Sequence, residues 1–483
     1  MNLVSYDLTD LRGKDVLVTG WGISGKALVE PLRDLGAVIT VTSSAGLDDA
    51  AAHGLGVATA DDLAEPGALE KFALVVTSPG WKPDAPVLSA AAEAGIPIWG
   101  DVELSWRMDQ AEIYGPVRRW LVVTGTNGKT TTTSMLESVL RAGGISTIAC
   151  GNIGLTVFDA LRMEPRVDVL AVELSSFQLH WAPSVSPEAG VVLNIAEDHL
   201  DWHGGMRPYV DAKAGALRGK VGIVGLDDPV AASLRGANRT VGFRLGEPEA
   251  NELGVRDGQL LDRAFGAEDV LAPVAEITPA GPAGVLDALA AAGLARSIGV
   301  SPAAVRSGLR DFSVGPHRAA PVGEVADVLF VDDSKATNPH AARSSILAHA
   351  SVVWLAGGLL KGASVDELVA EIGPRLVGAV LIGRDRDEIA QALARHAPDV
   401  PVECVPSRDD AGVSELPAAA DPDSIMATAT RIAAGMARPG DAVLLAPAAA
   451  SLDMFTSYGH RGDSFATAVR ALHASDIGVR QRS

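Results

Sequence analysis

The sequence predicts an α/β fold in three successive domains, each built on a largely parallel sheet with helices beside it. Three observations predict it. Short apolar runs that read as buried strands alternate with helical patterns along nearly the whole chain. The chain has 483 residues, and a prior of about 150 residues per domain suggests three. Two strand-to-helix junctions, near residues 20 and 125, are glycine-rich turns.

The first domain is expected over residues 1–115. Strand Asp15–Thr19 runs into Gly20-Trp21-Gly22-Ile23-Ser24-Gly25, a G-x-G-x-x-G match, followed by a helix to about Leu35. Alone, this motif indicates a dinucleotide. A ribose-binding acid should then close the next strand about 20 residues on, yet Ile39–Ser44 offers neither a carboxylate nor an arginine. A helix N-terminus facing a diphosphate is what survives. Strand Leu74–Thr77 ends in Ser78-Pro79-Gly80, whose N–H groups could line the same pocket or form a plain turn. From Arg107 to Arg119 the pattern lapses into polar residues around Gly115-Pro116, which reads as a linker.

The second domain is expected over 116–315. Trp120–Val123 reads as a buried strand, Gly125-Thr126-Asn127-Gly128 as a tight loop and Lys129 as a helix start, with Thr130 and Thr131 in the first turn. This is a phosphate cradle, because the unpaired N–H groups and partial positive charge of a helix N-terminus favour an anion. Lys129 adds a point charge for the β- and γ-phosphates, and the Thr130 hydroxyl is placed to ligate Mg²⁺. The match to G-x-x-x-x-G-K-[ST] is partial, since Val123 stands where the first glycine belongs.

The helix after Lys129 carries Met135, Leu136, Val139 and Leu140 on one face and stops at Gly143-Gly144. Strands 145–150, 168–172 and 190–193 then lead to Asn152, to Glu173, and to Asn194, Asp198, His199, Asp201 and His203. In a parallel sheet, ligands sit beyond the carboxyl ends of the strands, where all these residues fall. Glu173 and His199 suit Mg²⁺, since a cation bridging phosphate oxygens takes few protein ligands. Asp201 and His203 support them or are turn residues. Lys213 lies on a probable helix, where an exposed lysine is the default. Residues 244–283 suit edge strands and loops, and helices at 284–296 and 302–311 close the domain.

The third domain is expected over 316–483. After His317-Arg318 comes strand Val328–Val331 and the tract Asp332-Asp333-Ser334-Lys335-Ala336-Thr337-Asn338-Pro339. Strands at 352–355, 379–382 and 442–446 keep the doubly wound pattern, and Gly357–Gly362 is a second flexible loop with one cation, Lys361. The outer domains thus read as Rossmann-like and the central one as P-loop ATPase-like.

Acidic residues outnumber basic ones 60 to 40, for a net charge of −20. That balance argues against nucleic acid or an anionic membrane surface as a partner. Cys150 and Cys404 form no metal or disulfide pattern, the N-terminus lacks a signal-peptide pattern, and no apolar run reaches the roughly 18 residues needed to span a bilayer. A cytoplasmic protein is expected.

The order TGTNGKTT, ELSSFQL, NI-x-x-DHLDWH, HR and DDSKATN resembles the Mur ligases of peptidoglycan synthesis across nearly the whole chain. DDSKATN with GG-x-x-KG looks like the branch of that family that adds D-glutamate. The resemblance implies a monomeric ATP- and Mg²⁺-dependent ligase acting on UDP-N-acetylmuramoyl-L-alanine and D-glutamate. It implies that Gly22, Ser24, Gly25, Ser78, Pro79 and Gly80 hold the UDP end and that Asn152 lies near the phosphates and substrate. Glu173 and His199 would hold Mg²⁺, and Lys213 matches the lysine the family carbamylates, which turns a bland surface residue into an anion beside the metal. Arg318, Asp333 and Lys335 would approach the nucleotide and the transferred phosphoryl group. Thr337, Lys361, Ser451, Leu452 and Tyr458 fall where D-glutamate is held.

This sequence departs from the family pattern at several points. The H-N-x-x-N segment reads Ala283-Gly284-Val285-Leu286-Asp287, the acid of GG-x-D-KG is Leu360, Ser43 replaces a uridine-contacting acid, and Tyr458 replaces Phe. Three other readings compete: a sister Mur-type or folylpolyglutamate-type ligase, a nicotinamide-dependent oxidoreductase resting on G-x-G-x-x-G, and a non-catalytic nucleotide-gated module.

Overall fold

Apolar runs of four to seven residues, punctuated by glycine, form most strands of three sheets among the described residues. The computed structural model describes residues 8–236, 240–406 and 421–479. The first sheet holds β1 (Asp15–Thr19), β2 (Val38–Thr42), β3 (Gly56–Val57), β4 (Phe72–Thr77) and β5 (Ile98–Gly100) in the order β3-β2-β1-β4-β5, all parallel. Thr19 pairs with Thr77 in register, so the chains leaving β1 and β4 emerge side by side at the point where the strand order reverses. The helix expected to reach Leu35 is broken at Leu28 into Ile23–Ala27 and Val29–Asp34. Pro31 is the reason, as it has no N–H to give the Ala27 carbonyl and its ring crowds that oxygen.

The second sheet holds β6 (Arg119–Thr124), β7 (Thr147–Gly151), β8 (Val169–Glu173), β9 (Ala189–Val192), β10 (Val221–Gly225), β11 (Thr240–Phe243), β12 (Glu252–Arg256), β13 (Gln259–Asp262) and β14 (Asp269–Pro273). Their order is β14-β13-β12-β11-β10-β9-β6-β8-β7, parallel from β7 to β12 and antiparallel through β13 and β14. The weakly periodic stretch after residue 244 is this antiparallel edge. β6 lies between β8 and β9, so the loop after it stands at another reversal of strand order. One face of β6, with Leu121 and Val123, packs on Met135, Leu136, Val139 and Leu140 of the helix Lys129–Ala142. The other face, with Trp120 and Val122, shares a core with Val16, Val18, Leu104 and Met108 of the first sheet and its helices.

Residues 107–119 are not the plain linker that their polarity suggests. The helix Asp101–Gln110 runs through the first part, and Asp109, with no exposed surface, accepts from Arg118 Nη1 at 2.8 Å and Trp120 Nε1 at 2.9 Å. This buried ion pair, in which both carboxylate oxygens accept hydrogen bonds while Arg118 Nε is left without a partner, fixes the passage between the first two sheets. The chain up to Ile277, with Val285–Phe312, forms one compact unit; Thr278–Gly284 and the chain from Ser313 form another.

The second unit carries β15 (Ala320–Val325), β16 (Val328–Asp332), β17 (Val352–Gly357), β18 (Leu376–Ile382), β19 (Val402–Cys404) and β20 (Ala442–Leu445) in the order β15-β16-β20-β17-β18-β19. Only β15 runs antiparallel to its neighbour. Apolar clusters cover both faces, one around Trp354 and Leu381 and one around Phe330 and Phe465. No helix among the described residues is long and apolar enough to cross a membrane.

Candidate active site

Four residues, Gly125–Gly128, join β6 to the helix Lys129–Ala142. Gly128 has φ of +84°, and a Cβ there would stand 2.3 Å from Asp287 Oδ1, so only glycine meets both demands. Asn194, just past β9, clamps the loop by accepting from Asn127 N at 2.9 Å and donating to Asn127 O at 3.1 Å. Thr126 Oγ1 accepts from Ala196 N at 3.0 Å and lies 2.9 Å from the Tyr209 hydroxyl. Lys129 Nζ is turned onto the carbonyls of Gly125 at 2.9 Å and Thr126 at 2.8 Å.

Lys213 donates to that same Gly125 carbonyl at 2.7 Å. The expectation of an exposed lysine fails here, because only 2% of its surface is accessible and Nζ sits 4.7 Å from the centre of the Tyr209 ring. A helical pattern says which residues share a face but not which face the fold covers. Burial first, and the nearby charge of Lys129 second, push the Lys213 ammonium well below its ordinary 10.5, with Asp198 opposing. Both causes act against the charged form of the amine.

Glu173 ends β8 and is 1% exposed. Its Oε2 accepts from Thr130 Oγ1 at 2.6 Å and its Oε1 from Asn152 Nδ2 at 2.8 Å. The following helix, Ser176–His180, is started by a Ser175–Gln178 capping box, which fixes the chain direction directly after Glu173. Among the described residues no three His, Cys, Asp or Glu side chains gather as a metal cage. A Mg²⁺ that bridges phosphates does not require one, and the hard oxygens of Thr130 and Glu173, already in contact, fit such an ion. His199 enters through other contacts: it has φ of +54°, its ring lies 4.7 Å from that of Phe177, and Nε2 is 3.4 Å from Asp198 Oδ2. His203 Nε2 lies 2.9 Å from Ser176 Oγ, and burial pushes the imidazole down to about 4, which keeps it neutral. Asp201 turns outward to Lys82.

At the first sheet the two expected substrate turns touch. A Cβ on Gly20 would strike Ser78 Oγ at 2.6 Å, and one on Gly25 would lie 2.0 Å from the Gly20 carbonyl, so both glycines serve close approach. Gly22 stands open at the start of Ile23–Ala27, with Ser24 partly covered. Ser78 Oγ is buried without a hydrogen-bond partner, which fits a group awaiting a ligand.

Residues 123–254 match the Mur ligase middle domain, and residues 317–449 match the Mur ligase, glutamate ligase domain. A Nocardia farcinica protein named UDP-N-acetylmuramoylalanine–D-glutamate ligase is 65% identical over 474 residues, covering 97% of this chain and 98% of its own. The chain belongs to the Mur ligase family. A relative of the same name from Rhodococcus jostii is 64% identical, with 97% of each chain covered. Among solved structures, the UDP-N-acetylmuramate-alanine ligase of Thermotoga maritima superposes with a TM-score of 0.56 at 16% identity, covering 95% of this chain and 99% of that one. A second Thermotoga maritima ligase, MurF in complex with ADP, gives 0.54 at 16% identity over 96% and 97%. This Mur ligase therefore has the α/β architecture its sequence predicts.

In the second unit of this Mur ligase the expected residues cluster on four loops. Lys335 Nζ lies 4.0 Å from the centre of the Tyr458 ring, and the Tyr458 carbonyl accepts from Ser334 Oγ at 2.7 Å. Lys335 N donates to His317 O at 3.1 Å, and Thr337 N to Lys335 O at 2.8 Å. Asp333 accepts from Ala319 N at 3.1 Å beside half-covered Arg318, and burial pushes its carboxyl up to about 6. Leu359 and Ala450 exchange backbone hydrogen bonds of 2.9 Å, which brings the Lys361 loop beside Ser451 and Leu452. Ser451 is buried and Leu452 exposed, while Lys361 is held at φ of +55°.

Three residues escaped the sequence reading. Asn194 was visible as a strand-end polar residue but had no assigned role. Asp287, the lone acid of the helix Pro282–Ser297, accepts from Thr132 Oγ1 at 3.0 Å and crowds Gly128. Arg461, 1% exposed, donates to Ser334 Oγ and O at 3.0 and 2.8 Å, Gly357 O at 3.3 Å and Ala449 O at 3.1 Å. Nothing in its local sequence separates it from an ordinary helix-surface arginine.

Proposed function

We propose that this Mur ligase joins D-glutamate to UDP-N-acetylmuramoyl-L-alanine, with ATP converted to ADP and phosphate, in the cytoplasmic synthesis of peptidoglycan precursor. The observation that carries the reading is the convergence of Lys129 and Lys213 on the Gly125 carbonyl next to the Thr130–Glu173–Asn152 hydrogen-bond chain. A carboxylate is a poor acyl donor, so its oxygen first attacks the γ-phosphorus of ATP and ADP departs. The D-glutamate amine then attacks the acyl carbon, phosphate leaves with the bonding pair, and the amine loses a proton.

The loop N–H groups and Lys129 hold the phosphates in line, which is most of what phosphoryl transfer asks of a protein. For the nucleotide, Gly125–Thr131 would bind the phosphates, with Arg318, Asp333 and Lys335 assigned by their motifs. Bound Mg²⁺, held by Thr130, Glu173, His199 and a carbamylated Lys213, would neutralise charge on the phosphate oxygens. Burial that disfavours the Lys213 ammonium favours that carbamate, which forms when the free amine adds to CO₂ and releases a proton. Asn152 and the turns at Gly22–Gly25 and Ser78–Gly80 would grip the UDP substrate; Thr337, Lys361, Ser451, Leu452 and Tyr458 would grip D-glutamate.

The test is ADP release with Mg²⁺, ATP and UDP-N-acetylmuramoyl-L-alanine across D-glutamate, L-glutamate, L-alanine, L-lysine and diaminopimelate. A response confined to D-glutamate is expected. Turnover with another amino acid would move the enzyme to a sister branch, and turnover with none would remove the substrate assignment.

A further inference from the structure

The short helix Leu200–His203 follows His199 directly and makes two side-chain links to the turn after β4. Trp202 Nε1 donates to the Gly80 carbonyl at 3.2 Å. Lys82 Nζ reaches back to Asp201, 3.1 Å from its carbonyl and 3.4 Å from Oδ2. Trp202 is 8% exposed, with its ring 4.6 Å from Phe177 and 5.2 Å from His180. An indole already fixed by packing gives up little rotamer freedom when it holds a carbonyl. Phe177 is the same ring against which His199 lies. One aromatic group therefore supports both the candidate metal ligand and the candidate substrate turn.

We propose that Trp202 is a positioning residue for substrate binding. It holds the Gly80 carbonyl, and with it the Ser78–Gly80 turn, at a set distance from the His199 segment, while Lys82 ties the chain two residues beyond that turn to Asp201. The buried, unpartnered Ser78 Oγ is the group this placement would present to the UDP end of the substrate. The inference rests on the reading of that turn as a substrate loop.

The experiment is calorimetric titration of UDP-N-acetylmuramoyl-L-alanine, without ATP or metal, into the full chain as wild type, Trp202→Phe and Lys82→Met. Phenylalanine keeps an aromatic ring and removes the N–H donor. Substrate binding by Trp202→Phe is expected to weaken about three- to fivefold, the size of one neutral hydrogen bond. For the exposed Lys82–Asp201 pair, about twofold is expected. Affinity for ATP should stay at the wild-type value in both variants, and the melting temperature should stay there in Lys82→Met. Unchanged substrate affinity in both variants, with wild type binding normally, would overturn the inference alone. So would equal losses for ATP and substrate together with a lower melting temperature, which mark a merely structural role. Failure of wild type to bind the substrate would sink the substrate reading and the inference with it. Should Trp202→Phe fail to fold, the half-exposed Lys82 carries the test by itself.

Discussion

Replacing Gly128 with alanine tests how the phosphate loop is held. Two costs arise from the geometry. Alanine at φ of +84° pays about 1–2 kcal/mol for the left-handed conformation. Its Cβ would also stand 2.3 Å from Asp287 Oδ1, so the carboxylate must swing away and release Thr132 Oγ1, now 3.0 Å off. Losing a buried, charge-assisted hydrogen bond costs about 1.5–3 kcal/mol. Together they oppose the native loop by about 3 kcal/mol or more, and ATP affinity should fall by about two orders of magnitude. The assay is ATP titration by calorimetry for Gly128→Ala, Asp287→Ala and the double variant. Without the Asp287 carboxylate the dihedral cost and a 3.2 Å contact with Leu193 Cδ1, the end of a flexible side chain, remain, so Gly128→Ala should then lose about tenfold. An equal loss in both backgrounds would refute the contact between Asp287 and the loop as the second cost.

Other outcomes follow from the buried cations. Lys213→Met should reduce ADP release by about a hundredfold or more, as for loss of a charge-stabilising group at the reacting phosphate. The same variant has a stability signature. With the folded pKa of Lys213 depressed, the unfolded chain binds more protons between that pKa and 10.5, so wild-type stability rises with pH across the window. Urea unfolding in CO₂-depleted buffer, where Lys213 is the free amine, at about pH 7.5 and about pH 9.5 should show that rise in wild type and a flatter response in Lys213→Met; an undiminished slope would contradict the burial. Arg461→Lys has a single nitrogen where Arg461 spans Ser334, Gly357 and Ala449. Leaving carbonyls unpaired should destabilise the second unit by about 2–4 kcal/mol and raise KM for D-glutamate about tenfold. Thermal unfolding and steady-state kinetics check both, and an unaltered KM for D-glutamate would show that the pin does not shape those loops.

Much of this was legible because strand ends in a parallel sheet converge by topology. Gly125–Thr130, Asn152, Glu173 and Asn194 each follow an apolar run, so their meeting needed no knowledge of packing. Lys213 was misplaced for the opposite reason: its helix, Met206–Ala214, has no strong apolar stripe, and only the fold decides that the lysine faces Gly125. Arg461 and Asp287 depend on partners 127 and 155 residues away, beyond any local pattern. The break at Leu28 was readable, since Pro31 stands where a helix would have needed its N–H.

The buried Asp109–Arg118–Trp120 group bears on how this chain can be taken apart. A cut at Gly115, the natural place by composition, would leave the carboxylate in one piece and both of its donors in the other. Each piece would carry a buried polar group stripped of its partner, and breaking such a pair costs about 3–5 kcal/mol. The first sheet is therefore not a cassette to be exchanged among relatives at that point. A transplant would have to carry the start of β6 with it, and a protease should find its early cleavage sites elsewhere.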